Sequence, residues 1–276
     1  MAHDGSRRLN DAPHVPLSGQ EFAAVPPVVA FVRHTPASTV PFMTEPMSSH
    51  EFGRNRQANG DTQSPHVLSS LEQLRELYRE PIKLAQNKVK ATLDPMSVGF
   101  VGRCTFLVIS TSHRSGRLDV SPRGGPPGFV RVLKSGAIAI PDLNGNNLID
   151  TLGNIVETGQ AGCLLVVPGR DETLRVNGPA HVSVDPALLR SFDDQLRTPK
   201  TVIVIEPVEV FVHCAKAFRR GGVWDPATWP DERDATPDGV DILACQFELA
   251  DGGAELRSGM DAGYTADLAA DAPAAT

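Results

Sequence analysis

At 276 residues the chain has room for one large or two small domains, and 41% hydrophobic content with a mean hydropathy of −0.16 is ordinary for a soluble protein with a buried core. A formal net charge of −7, a pI of about 5.6 and no basic run longer than a pair exclude a general nucleic-acid-binding role. The longest apolar runs, such as "CLLVV" and "TVIVI", are strand-sized and too short to span a bilayer, so no membrane association is expected.

Residues 1–66 are rich in Pro, Ser, Thr, His and Asn and keep no period of 2 or 3.6, so a disordered or loosely packed extension is expected. Their one apolar patch, "VPPVVAFVRH", opens on Pro26-Pro27, which discourages strand pairing. "MAHDGSRRLNDAPH" has charges and no apolar stretch of a secretory signal, and Met43 and Met47 leave room for a natural start downstream of Met1.

Residues 67–235 read as the folded domain. In "SSLEQLRELYRE", Ser70 precedes Gln73 and Ser69 precedes Glu72 by three positions, the spacing of a capping box. Leu71, Leu74, Leu77 and Tyr78 then form one apolar helical face. Pro81 ends or kinks that helix, and "IKLAQNKVKATL" carries a second helical piece. Strands follow in "CTFLVISTS", "RLDVSP", "GFVRVL" and "GAIAIP". "DLNGNNLIDTLGNIVETG" leads from a turn cluster into a short helix with Leu148, Ile149, Leu152, Ile155 and Val156 near one face. "AGCLLVVPG" and "ETLRVNGPAHVSVD" are two strands joined by Pro168-Gly169-Arg170-Asp171. "PALLRSFDDQLR" is helical, with Pro186 in the first turn behind an Asp185 cap. "TVIVIEPVEVFVHC" is a last long strand with a bulge or edge at Glu206-Pro207. Residues 236–276 form a helical tail that frays into Ala, Asp and Pro. Six or seven closely spaced strands with short helices between them argue for a mainly β (α+β) fold, an antiparallel, partly closed barrel with peripheral helices. Cys104, Cys163, Cys214 and Cys245 contain no C-x-x-C pair and are expected as reduced core or near-core thiols in a cytoplasmic protein.

The usual hydrolase, zinc-protease and nucleotide-binding motifs are missing. His213 and Cys214 are strand neighbours facing opposite ways, a poor chelating pair, so no metal site is expected. What remains is a set of donors. In "DVSPRGGPPGFV", Arg123 stands at the lip of a Pro-Gly bend more elaborate than a hairpin needs. Asn144-Gly145-Asn146-Asn147 lies before the helix "LIDTLGNI", whose free N–H groups and dipole favour a phosphate. Arg175 can offer a bidentate fork from its strand. Each has a plain alternative: Arg123 paired with Asp119, Asn146 capping a helix, Arg175 an outward strand residue. Together they favour an anion-bearing ligand.

"DVSPRGGPPGFV", "IPDLNGNNLIDTLGNI", "ETLRVNGPA" and "VFVHCAKAF…WDPATW", in that order over about residues 70–232, resemble the pyridoxamine 5′-phosphate oxidase-like flavoproteins, in particular their FMN-dependent enzyme branch. The resemblance implies an FMN-binding split β-barrel and a homodimer with FMN between the subunits, acting as an oxidoreductase on a small molecule. It places Ser121 and Arg123 at the strand end that contacts the FMN phosphate, and Pro141 and Asp142 along the isoalloxazine and ribityl chain. Asn146 and Asn147 fall in the phosphate loop, and Thr173 and Arg175 on a strand facing the flavin. Trp224 covers the cofactor from the partner subunit or, equally, packs as a core indole. Two departures stand out. Leu148 replaces a basic residue of the relatives, and Leu118-Asp119 stands where pyridoxamine phosphate oxidases carry a further arginine. One lost phosphate charge costs ~1.5–3 kcal/mol, so weaker FMN binding is expected and vitamin B6 oxidation is not assigned. No catalytic acid or base is identified; His213 and Lys216 are the nearest substrate-side candidates. The alternative reading is a non-catalytic flavin module on the same barrel, or a haem module with His213 as axial ligand.

Overall fold

The computed structural model of the chain describes residues 66–230 and 236–273. The expectations for residues 1–65 lie outside the described residues. At the centre are eight antiparallel strands: β1 (Phe106–Ser112), β2 (Leu118–Gly124), β3 (Arg131–Val132), β4 (Ile138–Asp142), β5 (Gln160–Val166), β6 (Thr173–Ser183), β7 (Thr201–Ile205) and β8 (Glu209–His213). Their order is β2-β1-β5-β6-β7-β4-β3, with β8 also paired to β6. This is the antiparallel, partly closed barrel that the strand spacing predicts, with one strand more.

The extra strand comes from the run read as one long strand. Pro207 has no N–H for a ladder, and the chain breaks there into β7 and β8. β7 pairs with the second half of β6 and β8 with the first half. Between them, Glu206 N donates to Pro179 O at 2.8 Å and Val208 N to Asn177 O at 2.9 Å, so the connection crosses β6 over Gly178. A Cβ on Gly178 would stand 1.8 Å from Glu206 O, so only glycine allows the crossing. "GFVRVL" yields just the two residues of β3, because Phe129 and Val130 leave the ladder to fill the core.

The core is built from the inward faces of β1 and β5 (Leu107, Ile109, Cys163, Leu165) and from β4 and β7, which are buried almost throughout. Such two-sided burial explains the continuous apolar runs of β4 and β7, while half-buried β1 alternates. Phe129 and Phe192 complete it.

The helices follow their caps more than their apolar faces. In α1 (Leu71–Leu77), Ser70 Oγ accepts from Gln73 N at 3.2 Å and Gln73 Oε1 accepts from Ser69 N at 2.8 Å. The face of Leu71, Leu74, Leu77 and Tyr78 is nevertheless exposed, as are Ile82 and Leu84 around the short α2 (Lys83–Asn87). An unpredicted α3 (Pro95–Val101) starts on an Asp94 cap. α4 (Asp150–Thr158) buries Thr151, Asn154 and Ile155 and leaves Leu148, Ile149 and Val156 of the expected face exposed. α5 (Pro186–Arg190) has the expected Asp185 cap and is shorter than its motif. α6 (Lys216–Arg220) follows β8 and begins with an exposed Lys216. α7 (Gly239–Gln246) is followed by the 18-residue α8 (Ala254–Asp271). The fraying expected of this end is thereby corrected: its alanines are strong helix formers. Cys104 and Cys163 are buried, burial pushing the Cys163 thiol up to about 12, whereas Cys214 and Cys245 are exposed, which corrects the expectation of core or near-core thiols for these two. Cys214 sits just past β8, where the chain leaves the sheet. No described helix is long and apolar enough to cross a membrane.

Candidate functional site

On β2 the pleat puts Asp119, Ser121 and Arg123 on the same side as Thr111, Ile109 and Leu107, their partners on β1. Arg123 is therefore a strand residue; the bend expected around it starts at Gly125. That bend is rigid for a packing reason, since a Cβ on Gly125 would stand 2.6 Å from Phe129 Cγ, and Gly128 has φ 92°. Arg123 Nη1 donates to Ser121 Oγ and, at 2.9 Å, to Pro122 O. Its buried Nε has no partner.

β4 ends on buried Pro141 and half-buried Asp142. Burial pushes the Asp142 carboxyl up from its ordinary value, and the charges of Arg123 and Lys200 partly offset this. In the following loop Asn146 Oδ1 accepts from Leu148 N at 3.0 Å, while Asn147 (φ 58°) and Ile149 (φ 50°) are left-handed. This corrects the placement of the asparagines directly at a helix start. α4 begins at Asp150, and its cap position, Ile149, makes no side-chain bond. Asn is a residue that tolerates left-handed backbone; Ile149 is not, so the loop holds it there at a cost.

These pieces enclose a cleft of about 810 Å³, lined by Ser121, Arg123, Pro141, Asp142, Asn146 and Asn147 among others. Sequence reasoning missed two of its features. Asp119 Oδ2 accepts from Thr151 Oγ1 at 2.6 Å and Thr111 Oγ1 at 3.4 Å, and Asn154 Nδ2 donates to Thr111 Oγ1 at 3.0 Å. This network fastens α4 to β1 and β2. The period-two spacing of Asp119, Ser121 and Arg123 was a readable signal for it. The second feature is the end of α8, which brings Leu268 and Asp271 into the lining, and no local pattern links residue 271 to this loop.

Thr173, Arg175 and Trp224 do not line this cleft. Arg175 is in register with Leu164, Val108 and Pro122, whereas Arg123 aligns with Leu107, so the two arginines point to opposite faces of one sheet. Arg175 lies over the Phe211 ring at 5.3 Å, with Lys88 at 4.7 Å and the His213 ring at 4.9 Å. Burial, then Lys88 and Arg175, push the His213 imidazole below its usual pKa. Thr173 is buried. Trp224 Nε1 donates to Arg170 O at 2.9 Å and its ring meets Phe218 at 5.7 Å, so the indole clasps the β5–β6 turn.

No curated protein matches the chain. Among solved structures, HupZ of Group A Streptococcus is 15% identical over 44% of this chain and 94% of its own, with a TM-score of 0.37. A pyridoxamine 5′-phosphate oxidase-related, FMN-binding protein from Nostoc punctiforme is 12% identical over 45% of this chain and 85% of its own, with a TM-score of 0.35. The FAD-binding protein from Mycobacterium smegmatis is 12% identical over 45% and 97%, with a TM-score of 0.32. The model of one family, pyridoxamine 5′-phosphate oxidase, matches residues 93–214. That span takes in all eight strands, the cleft loop and the Arg175 face.

Proposed function

We propose that the protein is an FMN-dependent oxidoreductase acting on a small molecule, with each site completed by a second copy of the chain. The observation that carries this is Arg123. Its guanidinium opens onto the cleft with a buried, unpartnered Nε and no ion pair among the described residues. A buried donor left unmade costs about 1–3 kcal/mol, which a phosphate oxygen would recover. Ser121 fixes the guanidinium, Pro141 offers a flat wall, and the Asn146 and Asn147 amides suit ribityl hydroxyls. Bound there, FMN would supply electron or hydride transfer. The protein's part is to hold, orient and shield it, with the Asp142 carboxyl, pushed above its ordinary value by burial, in the cleft wall.

The opposed faces support the dimer. Arg175 cannot reach the cleft of its own protomer, but a two-fold partner that lays this outer face over the cleft would bring Arg175 and Trp224 to it.

The test is a flavin-fluorescence titration of wild type and Arg123→Ala with FMN and riboflavin. FMN binding should weaken by ~1.5–3 kcal/mol, the scale of a charge-assisted hydrogen bond, and riboflavin binding should not change. Equal losses for both flavins, or none, would remove Arg123 as the phosphate ligand. Bleaching of bound FMN by NADH or NADPH then separates an oxidoreductase from a flavin-holding module.

A further inference from the structure

The C-terminal end of α8 closes one side of the cleft, although α8 buries no residue along its length. Asn144 N donates to Asp271 Oδ1 at 3.3 Å, and Arg197 N donates to Asp271 O at 2.9 Å. Arg197 Nη2 lies 4.0 Å from Asp271 Oδ1 and donates to Asn144 Oδ1 at 2.9 Å. The Asp271 side chain is only 13% exposed. An aspartate is the wrong charge for the last position of a helix, where unpaired carbonyls already leave partial negative charge. The docked strap therefore presents both a carboxylate and the negative end of α8 to the cleft. Asp119, Asp142 and Asp150 line the same cleft, and Arg123 is the basic residue among its lining.

We propose that Asn144 N–H and Arg197 form an anion-binding subsite that Asp271 occupies as an internal competitor, and that a phosphate monoester entering the cleft displaces the α8 strap. The occupant class, a phosphate group, rests on the flavin reading above; the subsite itself does not. Release of the last turn is cheap, because it is held by the few polar contacts named and no buried apolar side chain, while Arg257 keeps the start of α8 on Asp238 and Asp241.

Two measurements on the full chain test this. The first is amide hydrogen exchange of residues 266–272 with inorganic phosphate, against chloride at equal ionic strength. Phosphate should raise exchange in wild type and do so several-fold less in Arg197→Gln. No phosphate-specific increase overturns the subsite, whatever the flavin result. The second is the flavin titration of Asp271→Asn, which keeps the side-chain oxygen and loses the charge. FMN affinity should rise about three- to tenfold, with riboflavin unchanged. If wild type binds FMN and the variant binds it no better, competition is refuted with the flavin reading intact. If phosphate loosens the strap and no variant binds flavin, the flavin reading fails and the subsite stands.

Discussion

The contacts of Asp119 assign it a mechanical task. Its carboxylate gathers the Thr151 and Thr111 hydroxyls, and Thr111, Thr151 and Asn154 are each at most 4% exposed. Replacing Thr151 by Val keeps the shape and removes the shortest donor. The structure should lose about 1–3 kcal/mol in denaturant unfolding, the cost of a partly buried carboxylate short of a hydrogen bond. An unchanged midpoint would mean that Asp119 is already satisfied by water. Since Asp119 anchors α4 beneath the cleft loop, it helps to position the site as well as to set its charge.

Among the elements, strands were legible wherever residues alternate or cluster between turn residues, as in "CTFLVISTS" and "GAIAIP", because two-sided or one-sided burial writes that pattern directly. The break after Ile205 was half-legible: Pro207 marked an irregularity, but that β7 and β8 pair with different halves of β6 depends on contacts distant in sequence. The apolar face of α1 was correctly periodic yet is exposed, since periodicity reports a surface that needs covering and not what covers it. Of the site, Arg123, Pro141, Asp142 and the two asparagines were found together, whereas the separation of Arg175 needed the register of four strands. Gly178 shows the limit sharply, being one glycine among 24 until the crossing backbone is seen. Gly178→Ala forces backbone against backbone and should destabilise the protein by about 2–3 kcal/mol, measured as a shift in the unfolding midpoint. A tolerated alanine would mean that the crossing relaxes freely.

For the whole molecule, the outer face of β1 and β2 is the decisive surface. Phe106 is 41%, Val120 65% and Leu118 73% exposed, on the same side as Pro122 and Arg175. Apolar groups gathered in this way mark an association surface. Light scattering should return twice the 29.5 kDa chain mass. Val120→Lys should shift that mass toward the single chain while leaving the circular dichroism unchanged, because Val120 contributes little to the protomer's own core. A variant that stays fully dimeric would place the contact elsewhere.

The ends of the sheet carry a consequence for how copies can meet. β2 bears Pro122, which has no N–H to offer a neighbouring strand. β3 presents only two residues, and β8 is bridged by Lys90, which exchanges both backbone bonds with Val210 at 2.9 and 2.7 Å. Each border of the sheet is thus too short, lacks a donor or is already bonded, which leaves little template for open-ended strand addition. That favours association through the faces, where a pair related by a two-fold axis closes on itself, whereas an edge would go on recruiting.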